Sequence, residues 1–468
     1  MAALECDYLI IGAGAVGMAF VDTLLDESDA TVLMVDDHHQ PGGHWNDAYP
    51  FVRLHQPSHF YGVASTPLGS MHVDKSGSNA GYFELASGAE VLSYFEQVMR
   101  QRFLPSGRVQ YFPLCRYLGD RRFESLVSGE VRDVRVRRRV VDSTYFKTSV
   151  PSRHERAFEV AADVRCVAPN ALPLAAGEHR HYCIVGAGKT AMDTGVWLLD
   201  SGARPEQISW ICPRGSWLMN RAVTQASVEF FEQSIGGFAA QLEAAAAATS
   251  VDDLFERLEA CDFLLRIDRS VPPEMFHFAV ISTGEVEQLR RIEHVVRGQR
   301  VTTIDAAGVA LADRSRVDLP PETLYIDCTA SAVDFKAMPT GPAFAPERIT
   351  IMPVRMPNPC LSAAVIAFLE ANYDDDDKRN SLSQPVPPPD DRLGWLRTTL
   401  GNMMNQAIWS QEPALSEFVT NCRLDGFGAV IRDADLSIAE NAALVQRMRD
   451  AAIPAAANLQ RLLEASAS

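Results

Sequence analysis

Basic residues are under-represented in this chain: 43 Lys and Arg stand against 60 Asp and Glu, for a net charge of −17. A partner bound through its phosphate backbone is therefore not expected, because such proteins carry a basic excess or a basic stripe. The one basic run, Arg132 to Arg139, partly alternates with Val131, Val134 and Val136. It reads as the wet face of a strand. The nine cysteines are scattered, with no C-x-x-C or C-x4-C pair. That spacing excludes a disulfide framework, a zinc site and the redox dithiol of a disulfide reductase, so no metal is expected. No stretch approaches the roughly 20 uninterrupted apolar residues of a membrane helix. The opening segment also has acids, Glu5 and Asp7, where a signal peptide carries bases. No membrane partner and a cytoplasmic location are the expectation.

What the chain does have is length and apolar content. Its 468 residues, 47% of them hydrophobic, exceed what one core organises and predict two or three domains. Asp7 to Ile11 reads as a strand, Gly12 to Gly17 as a turn, Val16 to Leu25 as a helix and Thr31 to Val35 as a second strand. The same order returns later, with strand Tyr182 to Val185, turn Gly186 to Ala191, helix Met192 to Asp200 and strand Ile208 to Cys212. An α/β protein with two Rossmann-like dinucleotide-binding domains follows. We assign residues 1–178 to a first domain and 179–335 to a second that holds a helical insertion at about 218–300. Residues 336–468 return to the first domain and end in a helical region. Asp374 to Lys378 and Gln384 to Asp391, acidic and proline-rich, read as a solvated linker. The irregular stretch from Gly42 to Ala80 marks a functional loop.

The first turn, Gly12-x-Gly14-x-x-Gly17, follows an apolar strand and opens a helix, the context that gives this motif meaning. Gly12 permits the tight turn, Gly14 lets a pyrophosphate approach and Gly17 lets helix and strand pack. Asp36, at the end of the next strand, is placed to accept ribose hydroxyls. The second turn has Gly186, Gly188 and, in the third place, Ala191. No acid ends its second strand. Arg214 stands there instead, and a guanidinium pairs with a 2′-phosphate where a carboxylate would repel it. NADPH is the expected second cofactor.

With Gly42-Gly43-His44-Trp45 after the first unit, the chain resembles the flavin-containing, or class B, monooxygenases. The likeness covers most of residues 5 to 335. It includes Thr190, Asp193, Arg214, Trp217 and Arg221 of the second unit and the late element Asp327-Cys328-Thr329-Ala330. Two elements depart from the family. The F-x-G-x-x-x-H fingerprint is absent, with Ser152-Arg153-His154 and Pro169 to Pro173 in its region, and the late element lacks its glycine.

The resemblance implies FAD at Gly12, Gly14, Gly17, Asp36, Gly43, His44 and Trp45. It implies NADPH at Gly186, Gly188, Thr190, Ala191, Arg214, Arg221 and Thr329. It further implies a peroxyflavin that passes one oxygen atom of O2 to a small organic substrate. Gln56 and His55 are the candidate catalytic donors facing the flavin, with His59 and Tyr61 behind them. A flavin oxidase or dehydrogenase, and a non-catalytic flavoprotein that responds to NADPH, use the same scaffold. Substrate identity and oligomeric state stay open.

Overall fold

The computed structural model describes residues 4–467. Strand Leu4–Ile11 forms the centre of the first sheet because seven of its eight side chains avoid full exposure and Tyr8, Leu9 and Ile10 are wholly buried. Strands buried on both faces belong in parallel sheets covered by helices. Accordingly Val32–Val35, Val109–Phe112, Val131–Asp142 and Arg348–Thr350 all run parallel within this sheet. Their order across it is 348–350, 131–142, 4–11, 32–35, 109–112. Helices Ala15–Glu27 and Pro359–Asn372 pack side by side on it.

The second sheet is all parallel, in the order His294–Arg297, Ile208–Cys212, Tyr182–Val185, Leu324–Asp327, Cys166–Val167. One of its edge strands is Cys166–Val167, within the residues assigned above to the first domain.

Two expectations are corrected. The 218–300 segment contains helices Gly237–Ala247 and Val251–Ala260 but is not purely helical. Strand Ser216–Asn220 pairs there with Met275–Ile281 and Leu264–Leu265, and His294–Arg297 belongs to the dinucleotide sheet itself. The acidic, proline-rich region is not a solvated linker. Asp375 caps helix Asp376–Leu382, Asp376 pairs with Arg139 at 2.8 Å and with Arg379 at 2.6 Å, and Val386 is 1% exposed. A carboxylate with two arginine partners is held in place, whatever its local composition suggests.

The arginine run behaves as a wet face with its own counter-ions. Val134 and Val136 are buried, while Arg132 pairs with Glu130 and Arg137 with Glu5 and Asp7. Among the described residues no helix is long and apolar enough to cross a membrane.

Candidate functional site

The two glycine turns share one backbone plan. Gly12 has φ +98° and Gly186 φ +136°, conformations that favour glycine. Each donates its N–H across to the neighbouring strand, Gly12 to Val35 O at 2.8 Å and Gly186 to Ile211 O at 3.0 Å. The helices then start at Gly14 and Gly188 with near-identical geometry, φ −77° and −83°, ψ −178° in both, and no side-chain cap in either. Their first-turn N–H groups are left for a ligand or water, at the positive end of the helix dipole. Gly188 is exposed, with no atom within 4 Å of where a Cβ would stand. Gly14 instead faces Gly43, whose Gly42 neighbour donates to Ala13 O at 2.9 Å. The Gly42-Gly43 strap thus lies directly over the first turn.

A second repeat, which the sequence reading did not find, closes both turns. Strands Val131–Asp142 and Leu324–Asp327 each end in Asp-x-Thr. Asp142 Oδ1 accepts from Thr144 N at 2.9 Å and Oγ1 at 2.6 Å; Asp327 Oδ1 accepts from Thr329 N at 3.0 Å and Oγ1 at 2.6 Å. The middle residue packs on the glycine turn: Ser143 Oγ donates to Ile11 O at 2.6 Å, and Cys328 N donates to Val185 O at 2.8 Å. The sequence signal was an apolar strand ending in Asp-[Ser/Cys]-Thr, present twice. The late element therefore opens on an Asp–Thr turn, Asp327 to Thr329.

Asp36 lies where the first dinucleotide's ribose is expected, 7% exposed. Its Oδ2 accepts from Ala13 N at 2.6 Å and its Oδ1 from His38 N and Nδ1, both at 2.8 Å. Three donors fill three of a carboxylate's roughly four acceptor positions and leave room for a hydroxyl. His38 Nε2 lies 2.8 Å from Asp47. The hydrogen bond to Asp36, reinforced by Asp47 against the cost of burial, pushes the imidazole up to about 9. His38 is thus a cation between two carboxylates near neutral pH.

His44 stacks on Trp45 at 5.6 Å, and Trp45 Nε1 donates to the Tyr61 hydroxyl at 2.7 Å. Burial and the His38 charge push His44 down to about 4 although its side chain keeps an open face. His55 is half-buried and is also pushed to about 4, by burial and then by the nearby Lys189. Gln56 follows it, half-buried, with no hydrogen bond from its amide among the described residues. Both therefore present neutral polar groups that the protein does not use. His59 is likewise lowered by burial. Tyr61 is committed to Trp45.

One arginine clamps this loop. Arg423 donates to the carbonyls of His59 and Val63, to Tyr61 O at 3.2 Å and to Thr66 O at 3.0 Å. Without it the carbonyls of His59, Tyr61 and Val63 would lose this donor, while Thr66 O would keep the Tyr94 hydroxyl at 2.7 Å.

In the second unit Thr190 is half-buried and Ala191 fully buried at the start of its helix, while Thr329 is exposed beside His154, 3.0 Å from its Oγ1. Arg214 stands exposed at the end of strand Ile208–Cys212, with no ion-pair partner among the described residues. Arg221 is different: it is 1% exposed, with Nη2 2.6 Å from Glu285, so its guanidinium already has a carboxylate partner. Trp217, 2% exposed, packs on Phe255 in a separate apolar cluster.

No family model matches the chain. Rv2000 of Mycobacterium tuberculosis and Mb2023 of Mycobacterium bovis are each 47% identical to it over 422 residues, which is 90% of this chain and 78% of the relative. The chain belongs to the Rv2000 family. Both relatives are uncharacterized proteins, so membership in the Rv2000 family brings no activity with it. Among solved structures, cyclohexanone-bound cyclohexanone monooxygenase aligns at TM-score 0.49 and 16% identity, over 81% of this chain and 91% of that one. Oxidized steroid monooxygenase bound to NADP aligns at TM-score 0.48 and 12% identity, over 89% of each chain. These likenesses are too distant to carry an activity to the Rv2000 family.

Proposed function

We propose that the protein is an oxidoreductase that holds FAD at the first glycine turn and NADPH at the second, and that it uses O2 to oxygenate a small organic substrate. The observation that supports this reading is one turn built twice with opposite chemistry at the following strand end: buried, acidic Asp36 in the first unit, exposed and unpaired Arg214 in the second. Bound at these turns, NADPH supplies a hydride and flavin passes electrons on to oxygen. The chain's own residues do the rest. Uncapped N–H groups at Gly14 and Gly188 take the pyrophosphates, Asp36 accepts ribose hydroxyls and Arg214 pairs with the 2′-phosphate. His44 stacks on Trp45 beside the Gly42-Gly43 strap, and His55 and Gln56 offer neutral hydrogen-bonding groups.

The oxygenating step is tested by mixing the reduced holoprotein with O2 in the presence of NADP⁺ and following flavin absorbance. A spectral species that persists before the oxidised flavin returns is the expected result. Immediate reoxidation with one peroxide released per flavin would instead establish an oxidase. The cofactor assignment has its own test in Arg214→Ala. A lost charge-assisted pair of about 1.5–3 kcal/mol lowers the NADPH-over-NADH ratio of kcat/KM roughly 10- to 150-fold. An unchanged ratio would remove Arg214 from the phosphate site.

A further inference from the structure

Lys189, Asp193 and Trp197 recur every fourth residue along helix Lys189–Asp200, so they share one face. That face meets segment 49–55 of the first unit. The Tyr49 hydroxyl donates to Asp193 Oδ2 at 2.6 Å, and Phe51 stacks on Trp197 with ring centres 5.1 Å apart. Lys189 is held by Asp193 and, at 3.1 Å, by Glu285. Glu285 completes the capping box of helix Thr283–Arg290 and takes Arg221 Nη2 at 2.6 Å. Arg221 then reaches back to the first unit, from Nε to His55 O at 3.2 Å and from Nη1 to Asn79 Oδ1 at 3.0 Å.

The segment is thus fastened at Tyr49 to the helix that begins at the second glycine turn, and at His55 to Arg221, which reaches that helix through Glu285 and Lys189. Two cations face two carboxylates, and Tyr49 and Arg221 are 6% and 1% exposed. Such a bracket has discrete geometry, because any member removed leaves a buried partner unpaired. Its far end is the backbone of His55 itself, next to the unpartnered amide of Gln56.

We infer that Tyr49 and Arg221 are positioning residues: they set His55 and Gln56 against the second glycine turn, so that the rate at which NADPH gives its hydride to the oxidised flavin depends on them. The inference rests on the function proposed above.

Two mild variants test it. Tyr49→Phe removes one hydroxyl and keeps the ring packing. Arg221→Lys keeps a charge for Glu285 but cannot also serve His55 O and Asn79 in the same fork geometry. Each holoprotein is reduced anaerobically with NADPH in a rapid-mixing experiment. The limiting reduction rate is expected to fall about tenfold or more in both. FAD stoichiometry and the half-saturating NADPH concentration are expected to stay within about twofold of wild type and Tm within about 5 °C, the pattern of lost positioning rather than lost binding. Unchanged limiting rates in both variants would overturn the inference. So would rates that fall only in step with Tm and FAD content, which would make the bracket domain cement. A wild-type holoprotein that NADPH does not reduce overturns the functional reading and the inference with it; a reducible wild type with unaffected variants overturns the inference alone.

Discussion

Gly17→Ala is expected to give a folded protein that no longer retains FAD. A Cβ at this position would overlap the carbonyl oxygen of Gly12 and stand 2.8 Å from Ser143 Oγ. Neither neighbour can yield cheaply. Gly12 is fixed by its bond to Val35 O, and Ser143 Oγ is donating to Ile11 O at 2.6 Å. The helix must therefore slide away from the strand, and its N-terminal N–H groups leave the place where the pyrophosphate is bound. Overpacking of this kind costs about 1–3 kcal/mol, which corresponds to roughly 5- to 150-fold weaker binding. The check is the flavin-to-protein ratio after purification, with circular dichroism to confirm the fold. Full flavin content in the variant would mean that the first turn is not the flavin site.

A change at the counterpart of Gly12 in the second unit separates the two cofactors. Gly186→Ala places a Cβ 2.6 Å from Cys328 O at a residue whose φ is +136°. Strain at such a position is of order 1–3 kcal/mol. Because the damage is confined to the second sheet, the expected protein keeps its FAD and loses affinity for NADPH, again by about one to two orders of magnitude. Anaerobic NADPH titration reads this as a raised half-saturation, while dithionite still reduces the flavin fully. If Gly186→Ala released flavin and left NADPH binding intact, the two turns would have been assigned in the wrong order.

These predictions fall where the sequence was most legible. The glycine turns, the strands before them and Asp36 are local features, and each was readable within a window of some 30 residues. The Asp-x-Thr turns were less visible because Asp142-Ser143-Thr144 and Asp327-Cys328-Thr329 acquire meaning only when set beside Gly12 and Gly186. The surroundings of Arg221 could not be read from its sequence neighbours. Its partners His55 and Asn79 lie 166 and 142 residues away, and an arginine four residues beyond Trp217 gives no sign that Glu285 waits beneath it. The acidic run misled for the same reason. Composition made Asp376 a solvated residue, whereas Arg139, 237 positions earlier, makes it a structural anion. Long-range charge pairing is the part of this fold that local patterning does not encode.

The mycobacterial relatives align with this chain over 422 residues at 47% identity. The central claim is that one chain brings two dinucleotides together for electron transfer. Its most direct test is to purify the protein with FAD, exclude oxygen, add one equivalent of NADPH and record the flavin spectrum. The account predicts loss of the oxidised flavin band with stoichiometric formation of NADP⁺. A protein that binds no flavin, or one whose bound flavin stays oxidised under NADPH and NADH yet bleaches with dithionite, would contradict it.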